Sequence, residues 1–220
     1  MASIRSVGTL RRVIVKDRLA IHKESATIYD CVNVKCVHWW EMAEPKLDPT
    51  RASKDQIHAF AESLAQQLGF GPGDDVEPLI RRLGGKIEVK NPLNYPGQFP
   101  ESIIVKSSTD FTIFVPSLTS VERDRFTIAH ELGHLALHYP AFSQKYPGVQ
   151  MVATRWVDET DQDQKRAEWE ANWFAGGFLM NGEIFRQAYE ASSGSLALVA
   201  LRFGVSKSAA EVRAKNLQLV

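Results

Sequence analysis

Residues 125–138 read Arg-Phe-Thr-Ile-Ala-His-Glu-Leu-Gly-His-Leu-Ala-Leu-His, an apolar run with the pattern H-E-x-x-H at its centre. No other stretch constrains the fold as tightly. At helical spacing His130 and His134 leave the same face about one turn apart, the separation that two ligands of one tetrahedral zinc ion require. Glu131 stands beside them, placed to take a proton from a metal-activated water. Two histidines four residues apart can also arise on a solvated helix face. The flanking Ile128, Ala129, Leu132, Leu135, Ala136 and Leu137 argue instead for a buried helix, where imidazoles and a carboxylate need partners. Gly133 inside that helix costs roughly 1 kcal/mol relative to Ala, so its presence points to a close approach of backbone, sheet or substrate. His138 lies eight residues past His130, roughly 12 Å along a straight helix. That distance makes it a helix-terminal group acting on the helix dipole rather than a ligand.

A third protein ligand is available downstream. From Gln164 to Met180, Ala167, Ala171, Phe174, Ala175 and Phe178 recur at three- and four-residue intervals, the stripe of a second helix. Glu168 and Asn172 flank it one turn apart. Glu168 is the expected ligand, with Asn172 holding a ligand histidine by its second ring nitrogen. Glu170 points about 200° away from Glu168 on a helical wheel, so only one can face the metal. A solvated face is the plain alternative for either glutamate.

These two motifs, in this order, resemble the ImmA/IrrE-type metallopeptidases. The resemblance is carried by Arg123-x-Arg125-Phe126-Thr127-Ile128-Ala129-His130-Glu131-Leu132-Gly133-His134 with His138, by Glu168-x-Glu170-Ala171-Asn172-x-Phe174-Ala175 and Leu179-Met180, and by Arg202 to Ser206 with Ala209, Ala210 and Arg213. It covers roughly residues 53 to 217. It implies Zn2+ held by His130, His134 and Glu168, with Glu131 as catalytic base, in a metallo-endopeptidase. It also implies a protein or peptide substrate, often a helix-turn-helix repressor cut at a limited site, and a setting in stress response, toxin–antitoxin function or phage regulation. The chain departs from the family where Asn181-Gly182 replaces the usual proline after Leu-Met, although Gly still stops a helix. The stretch from Tyr139 to Gln164, with Pro140, Pro147, Gly148 and an acidic run, reads as a long irregular loop able to cover the site.

At 220 residues and 44% hydrophobic, the chain can bury one substantial core. Lys plus Arg and Asp plus Glu number 26 each, so overall charge does not favour nucleic acid or an anionic membrane as direct ligand. Its apolar runs are too short to span a bilayer, and the first ten residues lack an export pattern, so a cytoplasmic protein is expected. Cys31 and Cys36 could join His38 in a second zinc site, but no second ligand pair follows, and reduced thiols are expected.

Three regions are expected: a 1–50 N-terminal extension containing a strand or docking element, a 51–180 catalytic core, and a 181–220 helical subdomain packed on it. Alternation of Val32, Val34, Cys36, His38 and Trp40 favours the early strand, and Pro45 to Pro49 reads as a linker. Ser53-x-x-Gln56 signs a capping box before a stripe of Ile57, Phe60, Ala61, Leu64 and Leu68. A short helix is expected from Asp75 to Leu83. Strands are expected at Lys86 to Lys90, Ser102 to Lys106 and Phe111 to Val115, the last two joined by a hairpin turn. The predicted class is α+β, a small twisted β-sheet against a zincin-like helix and a second ligand helix. Two short C-terminal helices around Gly204-Val205-Ser206 resemble helix-turn-helix spacing. Arg202, Lys207, Arg213 and Lys215 against Glu211 give that tail excess positive charge. The competing function is therefore a DNA-binding or protein-binding regulator in which zinc is structural.

Overall fold

The computed structural model describes residues 45–91, 101–154, 158 and 160–220. The expected strand at 28–40, with Cys31, Cys36 and His38, lies outside them. Residues Glu44–Val220 cluster as one compact unit. The predicted α+β class holds.

Ser53 opens helix α1 (Lys54–Gln67) with both halves of the capping box formed, its side chain accepting from the Gln56 amide. Asp75 caps α2 (Val76–Arg82), its side chain accepting from the Glu77 amide. Three strands follow: β1 (Gly85–Lys90), β2 (Glu101–Ser107) and β3 (Asp110–Pro116). Strands β2 and β3 form the expected antiparallel hairpin, and β1 runs parallel to β3.

Ser120 caps α3 (Val121–Gly133), and Glu122 and Asp124 in its first turn complement the helix dipole. The helix then widens into a π-turn (His134–His138), in which the Tyr139 amide reaches back to the His134 carbonyl. The expected irregular loop after Tyr139 contains a helix and a strand. Helix α4 (Tyr139–Lys145) starts with Pro140 in its first turn, where a missing N–H costs nothing. Strand β4 (Met151–Thr154) pairs with β2, completing the sheet order β1-β3-β2-β4. Four residues with only Met151 and Ala153 buried leave too short an alternation to be seen in the sequence.

Helix α5 (Gln162–Leu179) is the longest among the described residues and packs against both α1 and α3. Three helices close the chain: α6 (Gly182–Ala191), α7 (Leu196–Phe203) and α8 (Lys207–Asn216). Gly204 takes the left-handed conformation (φ 62°) that ends α7, and Ser206 caps α8. No helix among the described residues is long and apolar enough to cross a membrane.

The core joins Ile103, Val105, Phe111 and Ile113 of the sheet to Ile128 and Leu132 of α3 and Phe174 and Phe178 of α5. The α1 stripe is rotated from the expected one: Phe60 is 44% exposed, whereas His58 is only 7% exposed. The cause lies on α5, where Gly177 leaves room for the backbone of His58 to come close, its Cα 3.0 Å from where a Cβ would stand. Gly133 plays the same part for α3. A Cβ there would stand 3.1 Å from the Ala171 Cα and 3.2 Å from its carbonyl oxygen. The close approach expected of Gly133 is therefore to the backbone of α5.

Two outcomes follow from this packing. Gly133→Ala is expected to lower the thermal midpoint, because overpacking against backbone costs about 1–3 kcal/mol and outweighs the roughly 1 kcal/mol gained in helix propensity. A raised midpoint would mean that α3 and α5 can part freely. Burial, reinforced by the neighbouring Arg213 and Lys54, pushes the His58 imidazole down to about 4. Between pH 6.5 and 4 the unfolded chain takes up a proton that folded His58 refuses, so this contribution to stability is full above pH 6.5 and declines as pH falls toward 4. Urea midpoints at pH 7.5 and 4.5 should differ less for His58→Gln than for the parent chain.

Candidate metal centre

His130 near the end of α3, His134 at the start of the π-turn and Glu168 on α5 meet at one point. His130 Nε2 and His134 Nε2 are 3.1 Å apart. Glu168 offers Oε2 to His130 and Oε1 to His134, each at 3.2 Å. Ligand atoms on a tetrahedral zinc with bonds of about 2.0–2.1 Å are separated by roughly 3.3 Å, so the three donor groups have the spacing of adjacent corners around such an ion.

The second ring nitrogens determine which atoms face that point. His130 Nδ1 lies 3.1 Å from Asn172 Oδ1, an acceptor, so the ring donates there and turns the Nε2 lone pair inward. His134 Nδ1 lies 3.1 Å from His138 Nδ1. Burial, with a further push from His130 and His138 against the pull of Glu168, moves the His134 imidazole down to about 4 and keeps it neutral, the form that binds a cation. Burial alone would raise the Glu168 carboxyl. Hydrogen bonding to a protonated imidazole of His130 or His134 outweighs it and holds the group below the usual carboxylate range. Two inward lone pairs and a carboxylate at these separations repel unless a cation lies among them, so the donor set fits a divalent metal.

Glu131, 3% exposed, accepts a hydrogen bond from Ser102 Oγ at 3.0 Å. Ser102 is not apparent from strand periodicity because the β2–β4 register shifts between Glu101 and Ile103. Ser102 and Ile103 are consequently both buried, breaking the alternation that would turn one of them outward. The bulge brings the hydroxyl to the carboxylate.

The remaining candidates are placed elsewhere. His138 is outside the donor triangle, but the helical path does not end there, since α4 continues from Tyr139. His138 is 1% exposed, bridging His134 to Glu170. Glu170 is likewise off the donor point and fully buried rather than solvated. Arg125 donates to the Asp74 carbonyl and lies over the Phe70 ring. The Tyr139 hydroxyl donates to the Lys106 carbonyl at 3.3 Å.

An H-E-x-x-H helix beside a small sheet, with an acidic residue brought in by a second helix, defines a metallopeptidase-like protein. The family model described as the IrrE N-terminal-like domain, peptidase family M78, matches residues 99–215, more than half of the chain. The chain belongs to that family. No curated protein matches it in sequence. Among solved structures, a Mycobacterium tuberculosis transcriptional regulator is similar at 20% identity and a TM-score of 0.47, over 71% of this chain and 45% of that one. The chain thus spans less than half the length of that regulator.

If Asn172 orients His130, Asn172→Leu is expected to weaken the binding of an added divalent metal by about 10–100-fold. Competition against a chromophoric chelator measures this, and an unchanged affinity would remove Asn172 from the site's support.

Proposed function

We propose that the protein is a zinc-dependent endopeptidase that makes limited cuts in a regulatory protein such as a helix-turn-helix repressor. The observation that carries this reading is the triangle of His130, His134 and Glu168, with the buried Glu131 carboxylate adjacent to it in sequence. A zinc ion bound there would acidify a water molecule and polarise the scissile carbonyl. Glu131 accepts the proton of that water on a carboxylate oxygen, and Ser102 holds the carboxylate in place. Oxygen adds to the carbonyl carbon, the C–N bond breaks, and Glu131 returns the proton to the departing amine. The products are a carboxylate and an amine.

An extended substrate fits one side of the sheet. Strand β4 pairs with β2 and is the last in the sheet among the described residues. A cleft of about 900 Å³ runs between Val152, Ala153 and Thr154 of that strand and Glu168, with Leu47 and Phe142 also in its wall. A peptide adding to β4 would satisfy its backbone by strand pairing and lie along the proposed zinc ligand.

The competing reading, a DNA-binding or protein-binding regulator, draws on the basic C-terminal helices. Arg213 does not serve it: this side chain is 2% exposed, donates to the Met180 carbonyl and pairs with Glu62. Lys207 pairs with Glu211. What remains is a smaller basic surface than a DNA reader carries.

The test is Glu131→Gln. This variant is expected to retain zinc yet lose cleavage of a neighbouring repressor by at least about 100-fold, the lower range of general acid–base contributions. Gel analysis of the repressor and metal content of both proteins are the measurements. Equal cutting by the variant would show that Glu131 is not the base.

A further inference from the structure

Glu170 is separated from Glu168 by one residue, faces the other way and is fully buried. It collects five polar contacts: from His138 Nε2 at 3.1 Å, Arg166 Nε at 2.9 Å, the Thr50 amide at 2.8 Å, the Thr50 hydroxyl at 2.9 Å and the Arg51 amide at 2.8 Å. Thr50 and Arg51 belong to a strap before α1 that has no regular secondary structure. Ion pairs Lys46–Asp161, Asp48–Lys145 and Arg51–Asp163 fasten the strap to α4 and the start of α5. Arg51 adopts φ 60°, a left-handed conformation unfavourable for a residue with a Cβ. In that conformation the Arg51 amide donates to the same carboxylate as the Thr50 amide.

The direction of each hydrogen bond is dictated from Glu170 outward. An ionised carboxylate only accepts, so His138 must carry its proton on Nε2. A His138 ring that holds only this one proton accepts at Nδ1, and the facing His134 Nδ1 is then the donor. His134 is left with its lone pair on Nε2, the atom that points at His130 and Glu168. The π-turn His134–His138 is what allows the two imidazoles to meet Nδ1 to Nδ1, with ring centroids 5.1 Å apart.

We propose that Glu170, acting through His138, is a positioning residue that fixes the tautomer and ring orientation of His134, and that the Thr50–Arg51 strap orients Glu170. This rests on the reading that His130, His134 and Glu168 hold a metal ion. Because the strap precedes the region matched by the family model (residues 99–215), it extends the support of the metal centre beyond that region.

The experiment measures zinc affinity by chelator competition and the visible absorption of bound Co2+, in the full chain. Metal-free unfolding is followed in parallel. His138→Leu removes the acceptor for His134 and should lose about 10–100-fold in affinity with an altered cobalt band. His138→Gln offers a side-chain carbonyl in its place and should recover most of that affinity, a rescue that a purely space-filling role would not produce. Thr50→Val, which removes one donor to Glu170, should weaken binding by a few-fold. If His138→Leu does not fold, Glu170→Gln decides instead. Its amide nitrogen must face one of the surrounding donors, and about a 10-fold loss is expected. Affinity and cobalt spectrum unchanged in the deciding variant, while Glu168→Ala abolishes binding, would overturn the positioning role. Undiminished binding by Glu168→Ala would instead overturn the metal-site reading beneath it.

Discussion

The contact between Gly133 and Ala171 is the constraint on which the centre depends. Without a side chain at 133, α3 settles directly on the backbone of α5, and a Cβ at that position would come within 3.1 Å of the Ala171 Cα. His130 precedes Gly133 by three residues and His134 follows it. Glu168 and Asn172 bracket Ala171. Fixing the distance between the two helices therefore fixes the distance between the imidazoles and the carboxylate. A donor triangle with edges of 3.1–3.2 Å tolerates little error, since misplacement by even half an ångström would spoil tetrahedral spacing. Close-packed helices carry that accuracy better than loops.

Around the triangle, the polar groups are arranged in tiers. Asn172 supports His130, His138 supports His134 and Ser102 supports Glu131. Glu170 supports His138 and is itself surrounded by Arg166 and the strap. Such layering follows from burial: in a low-dielectric interior each unsatisfied donor or acceptor is expensive, so a polar group taken inside recruits further polar groups until water or charged residues are reached. For a member of peptidase family M78, this layering gives the proposed hydrolysis a set of groups already oriented before substrate arrives.

Much of this was legible in residue spacing. His130 and His134 at i and i+4, the capping box at Ser53, and the opposite directions of Glu168 and Glu170 all follow from helix geometry, which depends on neighbours a few residues away. Three strands were visible because their apolar content stands out against turn residues. What escaped had non-local causes. His58 rather than Phe60 is buried because Gly177 of another helix makes room. Ser102 reaches Glu131 because a bulge interrupts β2. Arg213 looks like surface charge in the sequence, yet it is buried between the end of α5 and Glu62 of α1. The helix and strand after Tyr139 were too short to stand out from the prolines and acids around them.

By itself, then, the sequence determined the residue types that can hold a divalent cation and the helical register that turns two imidazoles the same way. It also determined that only one of two neighbouring glutamates can join them. Those are properties of one helix at a time, set by a repeat of 3.6 residues. Only the tertiary structure decided that the two helices meet at Gly133 and Ala171, and that a π-turn hands His138 to Glu170. It alone closed that chain with a strap from more than a hundred residues earlier. No local periodicity encodes contacts of that range, because they arise from the packing of separate elements into one core.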